Sequence, residues 1–163
     1  MLSAARSIIV GIIDFFHKPF ARWIPTQTFR YIACGGTNTV VNWAIYSFAY
    51  NVWLKKNDLV LSGAVTITAE VAAYIVSFFI SFPIGFILSR HIVFPESNLH
   101  GRVQFFRYVM ATATLILFTY VLIKVFAIVL PMVRADISYI FVMVITAILS
   151  YISQRFFTFK TQK

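Results

Sequence analysis

Acidic residues are scarce in this sequence. Five Asp and Glu residues stand against 14 Lys and Arg in 163 positions, and the formal charge is +9. The three histidines are scattered, without the spacing of metal ligands and without paired acids. No nucleophile can be placed beside a general base either. We therefore expect no metal site, no cofactor and no enzymatic activity.

Cysteine is almost absent too. The single residue, Cys34, lies inside a long apolar segment, so a disulfide framework within the chain is excluded. Its small, weakly polar side chain is best interpreted as a packing residue.

Long apolar segments are abundant instead. Hydrophobic residues make up 60% of the chain and aromatic residues 18%, far from the composition of a soluble domain. A membrane-spanning helix needs about 20 mainly apolar residues. Four stretches meet this length, and the sequence predicts an all-α integral membrane protein with four transmembrane helices, at about 31–54, 62–88, 107–130 and 137–157.

The first 28 residues are predicted to form a separate amphipathic segment at the membrane surface. Their apolar run, Ile8 to Phe16, contains Asp14 and stops at His17, Lys18 and Pro19, about half a span in length. The transmembrane domain is then 29–163.

An internal repeat organises that domain. Each half opens on Phe-Arg-Tyr, at residues 29–31 and 106–108, and each closes on an Arg followed four residues later by Phe, at Arg90 and Phe94 and at Arg155 and Phe159. The repeats, 29–94 and 106–159, predict two tandem helical hairpins.

Basic residues predict the orientation, because positively charged flanks stay on the cytoplasmic side during insertion. Three flank the opposite ends of the spans, at Lys55, Lys56 and Arg134. Ten fall on one side: Arg6, Lys18, Arg22, Arg30, Arg90, Arg102, Arg107, Arg155, Lys160 and Lys163. Both termini are therefore expected to be cytoplasmic. A basic rim that attracts anionic lipid headgroups explains the charge, and no nucleic acid partner is expected.

Small residues recur every four positions along the second predicted helix, which is typical of a face where another helix packs closely in lipid. They are Ala69, Ala73, Ser77, Ser81, Gly85 and Ser89. A weaker copy in the fourth helix is Ser138, Val142, Thr146, Ser150 and Gln154. Pro83 interrupts the first stripe and predicts a kink.

Polar residues within the bilayer are costly and need a partner or a function. Asn38 and Asn42 share one face of the first helix, about 12 and 18 Å along it from Arg30. They can form interhelical hydrogen bonds or line a hydrophilic groove. Glu70 and Lys124 approach the opposite boundary, where they can pair or lie separately at the interface.

Four arginines, Arg30, Arg90, Arg107 and Arg155, fall at the cytoplasmic helix ends, with Tyr31 and Tyr108 beside two of them. Guanidinium matches phosphate oxygens in a two-bond fork, so a ring of these side chains could bind a lipid phosphate. Insertion and anchoring alone also place Arg and aromatic residues at this level.

These motifs resemble the GtrA-like family of small four-helix membrane proteins of cell-surface polysaccharide synthesis, from about Phe29 to Phe159. Gly35, Gly36, Asn38 and Thr39 after Phe29-Arg30-Tyr31 look like its opening pattern, and the two Arg-to-Phe segments are similar to its twice-used ending. This sequence departs from the family where Ser89 and Gln154 replace the Asn before each closing Arg.

The resemblance implies that the protein flips a polyprenyl-phosphate-linked sugar across the bacterial cytoplasmic membrane for glycosyltransferases outside. Phosphate would bind at the four arginines, sugar hydroxyls at Asn38 and Asn42 in a groove with Tyr31 and Tyr108, and Glu70 with Lys124 would form an outer gate. No ATP-binding motif is present. Four helices enclose little volume, so a homodimer or a heteromeric partner is expected.

Two alternatives stay open. One is a non-transporting accessory subunit that holds a membrane glycosyltransferase in place, with the small-residue stripes as docking faces. The other is a proton-coupled exporter of small cations with Glu70 as the exchanging acid, although such exporters need nearly balanced flanking charge.

Overall fold

The computed structural model describes residues 2–62, 65–129 and 135–160. These ranges form five α-helices and one short β-hairpin. The chain divides into two compact units, Met1–Val93 and Phe94–Lys163, and each is described by itself. Arg134 and Lys163, both used to predict orientation, lie outside the described ranges.

Helix α1, Leu2–His17, contains the apolar run of the N-terminal segment. A short 3₁₀ turn follows at Lys18–Phe20, because Pro19 supplies no amide hydrogen to continue the α-helix. The His17 ring Nε2 donates to the carbonyl oxygen of Ile24 over 2.7 Å. Ile8, Phe15 and Phe16 are exposed, as an interfacial helix requires, and its placement at the membrane surface stays a prediction.

Helix α2, Thr26–Phe48, begins directly after Pro25 and continues into a π-helical turn, Ala49–Trp53. This confirms a helix over the first predicted span. The chain then reverses at Lys55 and Lys56, whose φ angles of 49° and 62° are left-handed.

A β-hairpin replaces the beginning of the second predicted span. Strands β1, Leu59–Ser62, and β2, Val65–Ile67, pair antiparallel with Leu59 opposite Ile67. The β-branched residues Val60, Val65, Thr66 and Ile67 favour strand over helix here. The expectation of an all-α chain with a helix from residue 62 is therefore wrong at this point.

Helix α3, Ala69–Leu88, ends in a second π-helical turn, Ser89–Val93. It begins where the Ala69 amide donates to Asp58 Oδ1 over 2.8 Å, which satisfies one of the free donors of the first turn. The helix continues through Pro83, and the kink expected there stays a prediction.

The small-residue stripe of α3 is a packing face. All six members are buried: Ala69, Ala73, Ser77, Ser81, Gly85 and Ser89. Helix α2 packs against α3, and Asn42 Nδ2 donates to Ser81 Oγ across that contact over 2.6 Å. The predicted helix-packing role of the stripe is confirmed.

The second unit pairs α4, Gly101–Val129, with α5, Ala135–Ser153, and closes on a third π-helical turn, Gln154–Thr158. The hydroxyls of Thr119 and Thr146 lie 3.2 Å apart between the two helices. Val142 and Gln154 of the weaker stripe are also buried, so this stripe belongs to the α4 contact.

Three helical segments of the described residues are long and apolar enough to cross a membrane, namely Ala69–Val93, Gly101–Phe126 and Ile140–Thr158. The protein is thus a mostly helical, multi-pass membrane protein. Helix α2 has the length, but Thr37, Asn38, Thr39 and Asn42 lower its hydropathy, and its membrane crossing stays a prediction.

Candidate functional site: arginines at the helix ends

The two segments that close the predicted repeats have the same local geometry. Both form π-helical turns, Ser89–Val93 and Gln154–Thr158, with an arginine in second position. The first and last residues of each turn are buried, Ser89 and Val93 in one and Gln154 and Thr158 in the other. Arg90 is half-buried and Arg155 is exposed, so each turn buries its ends and leaves its arginine at least partly accessible.

The phenylalanines that follow the two turns contact each other in the second unit. The rings of Phe94 and Phe159 stack with centroids 5.1 Å apart and planes 13° apart. Both are buried, and Tyr151 packs on Phe94 at 6.3 Å. Stacked rings of this kind add about 0.5–1.5 kcal/mol beyond the burial of their area. The fixed spacing from Arg to Phe thus serves packing.

Arg30 is engaged by an acid. Its Nε donates to Asp14 Oδ1 over 2.9 Å and its Nη2 to Asp14 Oδ2 over 2.6 Å, which is the two-bond fork of guanidinium on carboxylate. The hydrogen bond from Arg30 lowers the pKa of the Asp14 carboxyl below its ordinary value, so both groups are charged at neutral pH. This ion pair connects α1 to α2. The carboxylate occupies donors of Arg30 that a phosphate could otherwise use.

Arg107 is fixed by the turn after α5. Its Nη1 donates to the carbonyl oxygen of Phe157 over 3.0 Å, and its Cζ lies 5.5 Å from the centre of the Phe157 ring. A guanidinium carries five N–H donors. This hydrogen bond uses one of them, so four can still bind another group. Arg107 is therefore oriented without being neutralised.

Arg155 lies against aromatic rings. Its Nη1 donates to the Tyr151 hydroxyl over 3.3 Å, and its Cζ is 5.5 Å from the Phe156 ring centre and 6.0 Å from that of Tyr151. Among the residues that the structure describes, no carboxylate pairs with Arg90, Arg107 or Arg155. Three of the four predicted phosphate-binding arginines thus keep an uncompensated charge.

The remaining groove residues divide between the units. Asn38 Oδ1 is enclosed in the first unit and has no hydrogen-bond partner among the described residues, while Asn42 bonds Ser81 as described above. Tyr31 is half-buried, and Tyr108 is buried on the inner face of α4. Interhelical bonding therefore accounts for Asn42, and an unmet acceptor is left at Asn38.

Glu70 and Lys124 each have a contact within their own unit. The Tyr50 hydroxyl donates to Glu70 Oε1 over 3.2 Å in the first unit. The Lys124 ammonium lies 5.7 Å from the centre of the Tyr120 ring in the second. The outer ion pair between them stays a prediction, as does the ring that joins Arg30 and Arg90 to Arg107 and Arg155.

Sequence reasoning missed two features of the site. Asp14 is the sole acid before Asp58, and a lone acid in a basic segment could have been expected to pair. Gln27 and Gln104 stand three residues before Arg30 and Arg107, which extends the opening motif. Gln27 Nε2 donates to the Val93 carbonyl over 3.4 Å, and Gln104 Nε2 to Ser97 Oγ over 3.0 Å. Each amide anchors a chain segment near the end of the first hairpin.

Comparison with known proteins gives a family match. Residues 30–159 match the family model described as GtrA/DPMS, transmembrane domain. No curated protein and no solved structure matches the chain significantly. The matched range begins at Arg30 and ends at Phe159, so it contains all four helix-end arginines, and such domains belong to membrane proteins of glycosylation-related pathways. On this match over most of its length, the chain belongs to the GtrA/DPMS transmembrane-domain family.

Proposed function

We propose that the protein moves a polyprenyl-phosphate-linked sugar from the cytoplasmic to the outer leaflet of the bacterial cytoplasmic membrane, without itself catalysing a bond change. The observation that carries this proposal is the set of uncompensated guanidiniums, Arg90, Arg107 and Arg155, inside the range that matches the family. Charged groups at the edge of a membrane domain are costly unless they meet a counter-charge or water, and a phosphodiester supplies the counter-charge.

The transfer route needs polar groups within the bilayer. A sugar crossing about 30 Å of hydrocarbon loses the water bound to its hydroxyls. The unpartnered Asn38 Oδ1 can accept from one such hydroxyl, whereas Asn42 is already used by Ser81. In this proposal the apolar tail stays at the lipid-facing surface of the helices, and a second copy of the chain completes the groove wall.

Arg30 has a different part in the proposal. Because Asp14 already occupies two of its donors, a lipid phosphate has to displace that carboxylate to gain the same two-bond fork on Arg30. The first capture is therefore assigned to Arg90, Arg107 and Arg155, and Arg30 engages afterwards.

The test is a flipping assay on protein reconstituted into liposomes that carry a labelled polyprenyl-phosphate sugar. Arg90→Ala and Arg155→Ala should each lower the rate at least tenfold, since one hydrogen bond to a charged group contributes about 1.5–3 kcal/mol. Arg102→Ala is the matched control, because Arg102 is a basic, exposed residue at the start of α4 outside this set. Wild-type rates in both test variants would refute the proposal.

A non-transporting accessory role is the second candidate, and the exposed face at Gly35 and Gly36 favours it. A Cβ added at either glycine meets no atom within 4 Å, and small faces are where transmembrane helices of different proteins approach closely. The α3 stripe is buried within the first unit, so it is already used for packing against α2.

Co-purification separates the two functions. If the protein alone moves no labelled lipid but co-purifies with a membrane glycosyltransferase, and Gly36→Leu abolishes that association, the accessory role is correct. Gly11→Leu, at an equally open glycine in α1, is the control.

A further inference from the structure

A groove runs along the surface of the second unit between α4 and α5. Its volume is about 520 Å³. Its walls are Met110, Thr114 and Phe118 from α4 and Leu149, Ile152 and Phe157 from the other side. The Thr114 hydroxyl donates to the carbonyl oxygen of Met110 over 2.9 Å, so its hydrogen is satisfied within α4. The groove therefore presents a nearly continuous hydrocarbon surface.

One end of this groove is charged. Arg107 lies on the same face of α4 as Met110, Thr114 and Phe118, because these residues follow at intervals of three or four. Its guanidinium is held over Phe157, the last wall residue, as described above. From Arg107 to Phe118 the helix rises about 16 Å. The site thus combines an uncompensated cation with a hydrocarbon channel that leads away from it.

We infer that the groove binds the isoprenoid chain of the lipid carrier, with the carrier phosphate on Arg107. This rests on the proposed function and assigns the carrier a site in the second unit. The axes of packed helices lie about 8–10 Å apart. The groove along their seam is therefore wide enough for one hydrocarbon chain. A carrier with one isoprenoid chain and an anionic head matches this combination of a single apolar groove and a guanidinium at its end.

Photolabelling of the full chain in phosphatidylcholine liposomes tests the site. The probe is a polyprenyl phosphate with a photoreactive group in its first isoprene units, and the labelled residues are found by peptide mapping. We expect label on the groove walls and at least tenfold less of it in Thr114→Phe, since the exposed Thr114 position would then fill the channel. Ala113→Phe adds a ring at a neighbouring exposed position that does not line the groove and should label as the wild type does.

The charged end has its own variants. Arg107→Gln should lower labelling about tenfold or more, because a charge-assisted bond to phosphate is lost. Arg107→Lys should recover part of the labelling, since an ammonium keeps the charge but not the planar fork. A merely structural Arg107 would give equal loss in both variants, accompanied by a lower unfolding temperature.

Three outcomes would overturn the inference. If the photolabel is found only on residues outside the groove walls, the groove is not the binding site of the isoprenoid chain. Equal competition by unlabelled phosphatidylglycerol and polyprenyl phosphate makes it an ordinary phospholipid site, and crosslinks between two chains make it a subunit interface. If the reconstituted protein flips the carrier while the groove stays unlabelled, this inference fails and the proposed function stands. If the groove is labelled but the carrier is not flipped, the groove binds the carrier and the proposed function fails.

Discussion

At the scale of single residues, the four helix-end arginines are alike in sequence and different in their partners. Asp14 neutralises Arg30 through two hydrogen bonds, and Phe157 orients Arg107. Aromatic rings surround Arg155. Identical motifs therefore do not imply identical roles, because the charge state of each neighbourhood decides whether a guanidinium can accept a phosphate.

Asp14→Asn should lower the free energy of unfolding by about 0.5 kcal/mol at neutral pH. Solvent screens the pair, since the Asp14 side chain is 38% exposed. The pKa of Asp14 is lowered by Arg30, so the pair stabilises the fold fully above the ordinary carboxyl pKa, and this contribution is lost as the pH falls through the lowered value.

Chemical unfolding in detergent at several pH values measures this difference. The double variant Asp14→Asn with Arg30→Gln should lose less stability than the sum of the two single losses. The coupling energy from this cycle should be close to the loss in Asp14→Asn alone. A wild-type advantage that grows as the pH falls would contradict the assignment.

The bond between Asn42 and Ser81 distinguishes packing from groove lining. Interhelical hydrogen bonds in membrane proteins contribute about 0.6 kcal/mol on average. A double-mutant cycle with Asn42→Ala and Ser81→Ala should give a coupling energy of about that size, with sugar transfer little changed. Loss of transfer in Asn42→Ala alone, at unchanged stability, would instead make Asn42 part of the sugar route.

At the scale of elements, the stripes of small residues were predictable and the hairpin was not. A period of four in Ala, Ser and Gly is visible in sequence, and burial of all six α3 members confirms its meaning. Strands β1 and β2 lie in a stretch whose hydropathy is compatible with the beginning of a membrane helix. Its β-branched residues were the local signal, but hydropathy alone does not distinguish strand from helix.

Ser77→Leu should destabilise the first unit by about 1–3 kcal/mol, because Ser77 is fully buried in the α3 stripe and a larger side chain overpacks the contact with α2. Val71→Leu, on the exposed face of the same helix, should change stability by less than about 0.5 kcal/mol. Thermal unfolding of the two purified variants gives the comparison, and equal stability would show that the stripe tolerates bulk.

At the scale of the whole molecule, the membrane crossing of α2 decides the topology. Three described segments meet the length and hydropathy of a span, and α2 carries four polar residues at its centre. If α2 does cross, both termini lie on the side that carries the basic residues.

Single-cysteine labelling tests the topology. Cys34 is the one native cysteine, so Cys34→Ala gives a background without thiols. In that background, Asn57→Cys should react with a membrane-impermeant maleimide added outside cells, and Asn98→Cys should react only after the membrane is opened. A Cys introduced at Arg22 should behave like the one at Asn98. External reaction at Arg22 and Asn57 alike would exclude a transmembrane α2.

The sequence by itself determined the membrane class, the approximate positions of most helices and the repeated arginine motifs, because hydropathy, small-residue periods and motifs are local along the chain. The family match over 30–159 agrees with those motifs. Only the tertiary structure decided that Asp14 neutralises Arg30, that Ser81 satisfies Asn42 and that an apolar groove begins beside Arg107. These contacts connect residues that are distant in sequence. The packing of the helices decides which charged and polar atoms have partners, and a sequence pattern does not show it.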